Sequence, residues 1–189
     1  MPLTKLDTIA ALVVIDLQKF VLGMPTVHPV GEIIGRAVQL VSAFREQGLP
    51  VVLVRVTGAY PGGRTESGVS KTMPPGEWSE PIPEMGPHPG DLVICKPRAD
   101  AFIGTSLEYD LRQRGVTQVF VAGIATSIGV ESAVRSASGY GYNVVSIVDA
   151  MTDRDAASHS HSVEKIFPRL SEIAKTDDVL KLLKEAPAR

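Results

Sequence analysis

A chain of 189 residues suits one domain, and with 44% apolar residues spread along its length it can bury a sizeable core. Its 19 basic and 21 acidic residues are well mixed to a formal charge of −2, so neither a nucleic-acid partner nor an acidic tail is expected. One cysteine, Cys95, excludes an intramolecular disulfide. The apolar stretch 9–15 is too short to span a bilayer. The expectation is a soluble, cytoplasmic protein with no membrane partner.

In chain order, short β-branched runs fall at 9–15 (IAALVVI), 51–56 (VVLVRV), 92–95 (LVIC), 119–122 (VFVA) and 144–148 (VVSIV), with a weaker sixth at 172–174. Continuous rather than alternating apolarity predicts parallel strands covered on both faces. Helical patterns lie between them. Ile33, Ile34, Ala37, Val38, Val41 and Phe44 share a face that stops at Gly48 before Pro50. Further helices are predicted over 105–114, closing at Gly115, and over 127–140, closing at Gly141. Val163, Ile166, Phe167 and Leu170 mark another helical face, and Val179, Leu180, Leu182 and Leu183 a last one. Strands alternating with helices predict a doubly wound α/β sheet over residues 1–189 as one domain. The stretch 57–90, rich in Pro and Gly and without a period, reads as a binding loop.

In such sheets ligands bind at the carboxyl ends of the strands, near the switch in strand order. Asp16 closes the first strand there, where partial desolvation raises a carboxyl's proton affinity and suits it to acid–base work; a loop or capping carboxylate is an equal alternative. Lys96 closes the third, placed to hold an anionic substrate or to keep an aspartate ionised; taken alone, a solvated strand-end lysine is the simpler reading. The segment GIATSIGVES at 123–132 runs from strand to helix through small residues, so its amides could face the crevice as an anion site, or it is an ordinary turn. Cys95 reads as a small core residue on the face opposite Lys96. His159 and His161 read as capping or surface residues. Arg64 and Trp78, in the long loop, are candidates to line a pocket, with half-buried packing and plain solvation as equal alternatives. No phosphate-binding glycine loop is present.

Three blocks of sequence share one resemblance. DLQKF at 16–20 resembles the D-x-Q opening of the isochorismatase-like (cysteine hydrolase) superfamily. KPRADAFIGTSLEYDLRQRGV at 96–116 and GIATSIGVESAVRSASGYGYNVVSIVDA at 123–150 resemble that superfamily's lysine and cysteine blocks, in the same order and spacing. The resemblance implies a three-layer α/β/α sandwich around a six-stranded parallel sheet. It also implies an Asp–Lys–Cys triad, whose members map onto Asp16, Lys96 and Gly129, and a cis peptide at Ile124–Ala125. The amides of Ala125 and Gly129 would form the oxyanion hole, and Phe20 closes the first motif as a substrate-side residue. Dimers or higher homo-oligomers are common in the family.

Glycine at position 129 closes the thioester route of the family's amidases. With no histidine between His28 and His88, the metal site of its nicotinamidases is missing, so neither metal nor other cofactor is expected. Isochorismatases also often carry glycine there and hydrolyse a vinyl ether, for which Asp16 as acid and Lys96 as its partner suffice. They share Y-T-x-Q-P after the second strand, where this chain has VRVTGAYPGG. The expected activity is therefore hydrolysis of isochorismate or another small carboxylated substrate by water, assisted by Asp16 and Lys96. The alternative is a catalytically silent relative that binds a small anion or a protein partner.

Overall fold

The computed structural model describes residues 1–57, 76, 79–86 and 88–186; Arg64 and Trp78 lie outside the described residues. Six strands form one parallel sheet: β1 (Ala10–Ile15), β2 (Val51–Val56), β3 (Leu92–Lys96), β4 (Gln118–Ile124), β5 (Asn143–Thr152) and β6 (Glu172–Ala174). Their order is β3-β2-β1-β4-β5-β6, so the winding reverses between β1 and β4. The helices are α1 (Lys19–Leu22), α2 (Val30–Glu46), α3 (Leu107–Gln113), α4 (Glu131–Gly139), α5 (Ala156–His161) and α6 (Thr176–Glu185).

Two cores follow from the period of two along each strand. Leu12, Val14, Leu53 and Phe120 pack against Ile33, Ala37, Leu40 and Phe44 of α2 and Val179 and Leu183 of α6. On the other face Val13, Ile15, Val54 and Val121 meet Leu107 and Leu111 of α3 and Ala133, Val134 and Ala137 of α4. The three-layer sandwich expected from the sequence is the one observed. α2 starts three residues before its predicted face and ends as expected ahead of Gly48, whose φ of 64° turns the chain toward β2.

The third strand departs from the sequence reading. Val93 and Cys95 are exposed while Ile94 and Lys96 are buried. β3 is the sheet edge, and among the described residues no helix packs on its outward side chains. Cys95 is therefore a surface residue, with its Sγ 3.0 Å from Nε of Arg55 on the neighbouring strand. Four short apolar residues cannot by themselves tell an edge strand from a central one.

The predicted helix over 127–140 is two pieces. Thr126–Val130 is a single π-helical turn, and α4 follows it. The helical face built on Val163, Ile166, Phe167 and Leu170 is similarly a π-turn at Ser162–Ile166 and a 3-10 turn at Phe167–Arg169, both following α5.

Candidate functional site

The carboxyl ends of β1 and β4 flank the reversal in strand order, and the candidate residues gather there. Asp16 follows the last residue of β1 with a φ of 52°, a left-handed conformation that costs an L-residue on the order of 1 kcal/mol and is least uncommon for Asp and Asn. Two hydrogen bonds hold it there: its N–H donates to Val54 O at 3.0 Å, and its own carbonyl accepts from Gln18 N–H at 2.9 Å. The turn takes the chain off the sheet and leaves the side chain above the strand ends.

Lys96 is the last residue of β3, two strands away, and its ammonium reaches Asp16 Oδ2 at 2.8 Å. It also donates to Ala99 O at 2.6 Å. Lys96 is 0% exposed and Asp16 only 5%, so this is a buried ion pair rather than a solvated surface one. Burial pushes the Asp16 carboxyl up to about 6, against the charge and hydrogen bond of Lys96, which pull it down. A carboxyl near 6 can both donate and accept a proton around neutral pH. Its second oxygen, Oδ1, is buried and has no hydrogen-bond partner among the described residues.

The turn after β4 closes over this pair. Gly123 pairs with Ile15 at a φ of 122°, where a Cβ would lie 2.1 Å from Ile15 O; only glycine lets the two strands meet so closely. The Ile124–Ala125 peptide bond is cis. Gly129, inside the π-turn, faces the pair directly. A Cβ built on it would meet Ile15 Cγ2 at 3.0 Å, Lys96 Nζ at 3.1 Å and Asp16 Oδ2 at 3.4 Å. A side chain there would press on the lysine head and on Ile15, which would have to give by a few tenths of an ångström.

The turn is braced from behind, and one of the braces is His159, which the sequence reads as a capping or surface residue. Thr126 Oγ1 and His159 Nδ1 are 2.9 Å apart, and the His159 ring meets that of His28 edge to face at 4.7 Å. Burial, and then the neighbouring His28, hold the imidazole of His159 below its ordinary range. Asp153 Oδ2 accepts the N–H of Ser127 at 2.6 Å. A threonine hydroxyl beside an imidazole has the makings of a nucleophile and base, but Thr126 is fully buried and acts here as a brace. His159 was misread because nothing local in SHSHS tells a strut from a solvated helix start. His161, by contrast, is exposed as expected.

Phe20 lies half-buried on α1, immediately beyond Asp16. Arg64 and Trp78 fall outside the described residues. Among the described residues no group of three or more His, Cys, Asp or Glu side chains is placed to hold a metal ion, and no helix is long and apolar enough to cross a membrane.

Comparison with known proteins matches residues 10–178 to the isochorismatase domain. The chain is 37% identical over 182 residues to the uncharacterised isochorismatase family protein YecD of Escherichia coli O157:H7, covering 92% of this chain and 95% of that one. It is 30% identical over 184 residues to the ureidoacrylate amidohydrolase RutB of Methylobacterium radiotolerans, covering 84% and 71%. A solved isochorismatase family protein from Burkholderia thailandensis superposes with a TM-score of 0.82 at 34% identity, covering 95% of this chain and 98% of that one. The domain match and the shared fold together make this chain a member of the isochorismatase family of hydrolases.

Proposed function

We propose that the protein hydrolyses a small carboxylated substrate with water as the nucleophile, Asp16 as the acid–base group and Lys96 as its partner. The observation that carries this reading is the buried Asp16–Lys96 pair at 2.8 Å, set against the bare Cα of Gly129. Gly129 stands where the family resemblance implies a cysteine and has no side chain to attack with. The chain's one thiol, Cys95, is exposed on the other face of β3 and engaged with Arg55.

For a vinyl ether such as isochorismate, Asp16 donates its proton to the enol carbon. Water then adds to the resulting oxocarbenium ion, and the hemiketal collapses to an alcohol and a ketone. Lys96 stabilises the carboxylate that Asp16 becomes. Two of its three protons are committed to Asp16 and Ala99, so its main work is on the acid rather than on the substrate. The amides of Ala125 and Gly129 are the donors for negative charge on the substrate. Phe20 flanks the acid, and Arg64 and Trp78 are the loop residues to contact the substrate. The relative named for ureidoacrylate supports a small substrate that carries a carboxylate.

The test is a hydrolysis screen of the purified protein on isochorismate, a ureidoacrylate and a panel of small amides and esters, run beside Asp16→Asn. Turnover that falls by about two to four orders of magnitude in the variant supports the assignment. Turnover that survives in Asp16→Asn removes Asp16 from its role. Binding of these compounds with no turnover in the wild type favours a catalytically silent binder.

A further inference from the structure

Asp16 and Lys96 do not sit on neighbouring strands. β2 runs between them, so their backbones are about 10 Å apart and the 2.8 Å contact depends on all three strand ends holding their places. β1 stops pairing at Asp16, because the left-handed turn there lifts the chain off the sheet. β2 continues to Val56, which is in register with Lys96. A backbone rung is therefore missing at the level of the pair.

Gln18 fills it. Its Oε1 accepts the N–H of Val56 at 2.8 Å, and its Nε2 donates to Val56 O at 3.2 Å and to Ser79 O at 2.6 Å. The side-chain amide thus presents to β2 the acceptor and donor that the next residue of a strand would have offered. Gln18 is 0% exposed, and these bonds span long stretches of chain. The neighbouring backbone follows the same path: Leu17 O accepts from Ile82 N–H, and Thr57 N–H donates to Lys96 O, both at 3.0 Å. A buried amide with three good bonds is expensive to replace, since removing it strands two carbonyls and an N–H.

We propose that Gln18 is a positioning residue: as a side-chain rung between β1 and β2, it holds Asp16 in its left-handed turn and so keeps the carboxylate against Lys96. Its importance for turnover rests on the reading of Asp16 and Lys96 as the working pair, but its geometric role does not. Without the rung the turn at Asp16 is free to relax, and its carboxyl gains access to water. The Val56 amide, which already favours the ionised form of Asp16, is also released toward it. Both changes lower the proton affinity of Asp16, and together they outweigh the loosened contact with Lys96, which acts the other way, because burial is the larger of the two opposing effects on this carboxyl.

The test is a carbon-13 NMR titration of the Asp16 side-chain carboxyl in the intact protein, assigned by its loss in Asp16→Asn. Gln18→Met keeps the volume and removes all three bonds. Gln18→Asn keeps an amide that is one methylene too short to span the gap, and serves if the first variant does not fold. In the wild type the carboxyl is expected to titrate at about 6, and in either folded variant to move down toward the ordinary value of 3.8. A variant that is less stable but titrates where the wild type does reduces Gln18 to a structural residue and overturns the proposal. The readout needs no substrate, so a protein that proves inactive on every compound tested still answers the question.

Discussion

The raised proton affinity of Asp16 makes a prediction about stability that can be worked out with its sign. The carboxyl titrates at about 6 in the folded chain and at 3.8 in the unfolded one, so between those values the folded state holds more protons. Stability then falls as pH rises through this window: the contribution is fully present below the unfolded value and lost above the folded one. The interval corresponds to about 3 kcal/mol, of which about 2–3 kcal/mol lies between pH 4 and pH 7. Other groups titrate over the same range, so the measurement is a difference. Urea unfolding of the wild type and of Asp16→Asn at a series of pH values isolates the one carboxyl, because the cost of leaving Lys96 beside a neutral amide does not vary in this range. The wild type should lose about 2–3 kcal/mol relative to the variant as pH rises from 4 to 7. A difference that stays flat, or one that rises with pH, would mean that the charge of Lys96 outweighs burial at this carboxyl, and the acid–base assignment would lose its physical basis.

Four further outcomes follow from the same geometry. If Asp16 acts as the acid, kcat/KM should fall about tenfold per pH unit above about 6; a profile that instead falls on the acid side makes it the base. Lys96→Met removes the cation that pulls Asp16 down, so the carboxyl should titrate above its wild-type midpoint, with a loss of up to about 3–5 kcal/mol in stability where Asp16 stays ionised. An unmoved midpoint would separate the two residues. Gly129→Ala and Gly129→Cys both press on Lys96 Nζ and Ile15, so each should cost about 1–3 kcal/mol in thermal unfolding and neither should raise hydrolysis; a faster Gly129→Cys enzyme would show that the position still serves a nucleophile. Gly123→Ala sets a Cβ against the Ile15 carbonyl and should prevent soluble folding, as judged by circular dichroism of whatever is recovered.

Which parts of this were legible beforehand depends on how local their cause is. Asp16 and Lys96 drew notice because each ends an apolar strand, and parallel sheets gather such ends at one rim, but it took the family blocks around them to read them as a pair. Residues 172–174 could be placed as a strand from three residues, since little else fits between two helical patterns. Cys95 could not be placed, because whether LVIC is covered on one face or two depends on strand order, a property of the whole chain. Gln18 sits inside the quoted motif yet drew no attention: an amide reads the same whether it faces water or completes a sheet. The π-turn at 126–130 was hidden for a related reason, since one extra residue in a helical turn leaves the apolar spacing nearly intact. The crowding at position 129 was equally out of reach, because the lysine that presses on it comes from β3, three places from β4 in the sheet.

That lysine has a consequence for how the chain folds. Its ammonium ends in a buried box with Asp16, at the end of β1, on one side and Gly129, carried in after β4, on another. Neither wall exists until distant segments have met, and parallel pairings of this kind close slowly because long loops must be ordered first. Until they close, Lys96 and Asp16 keep their water and the carboxyl behaves as an ordinary one. Refolding near pH 5 should therefore draw a proton from solution only as the last wall arrives, and an indicator dye can time that uptake against the return of tertiary structure.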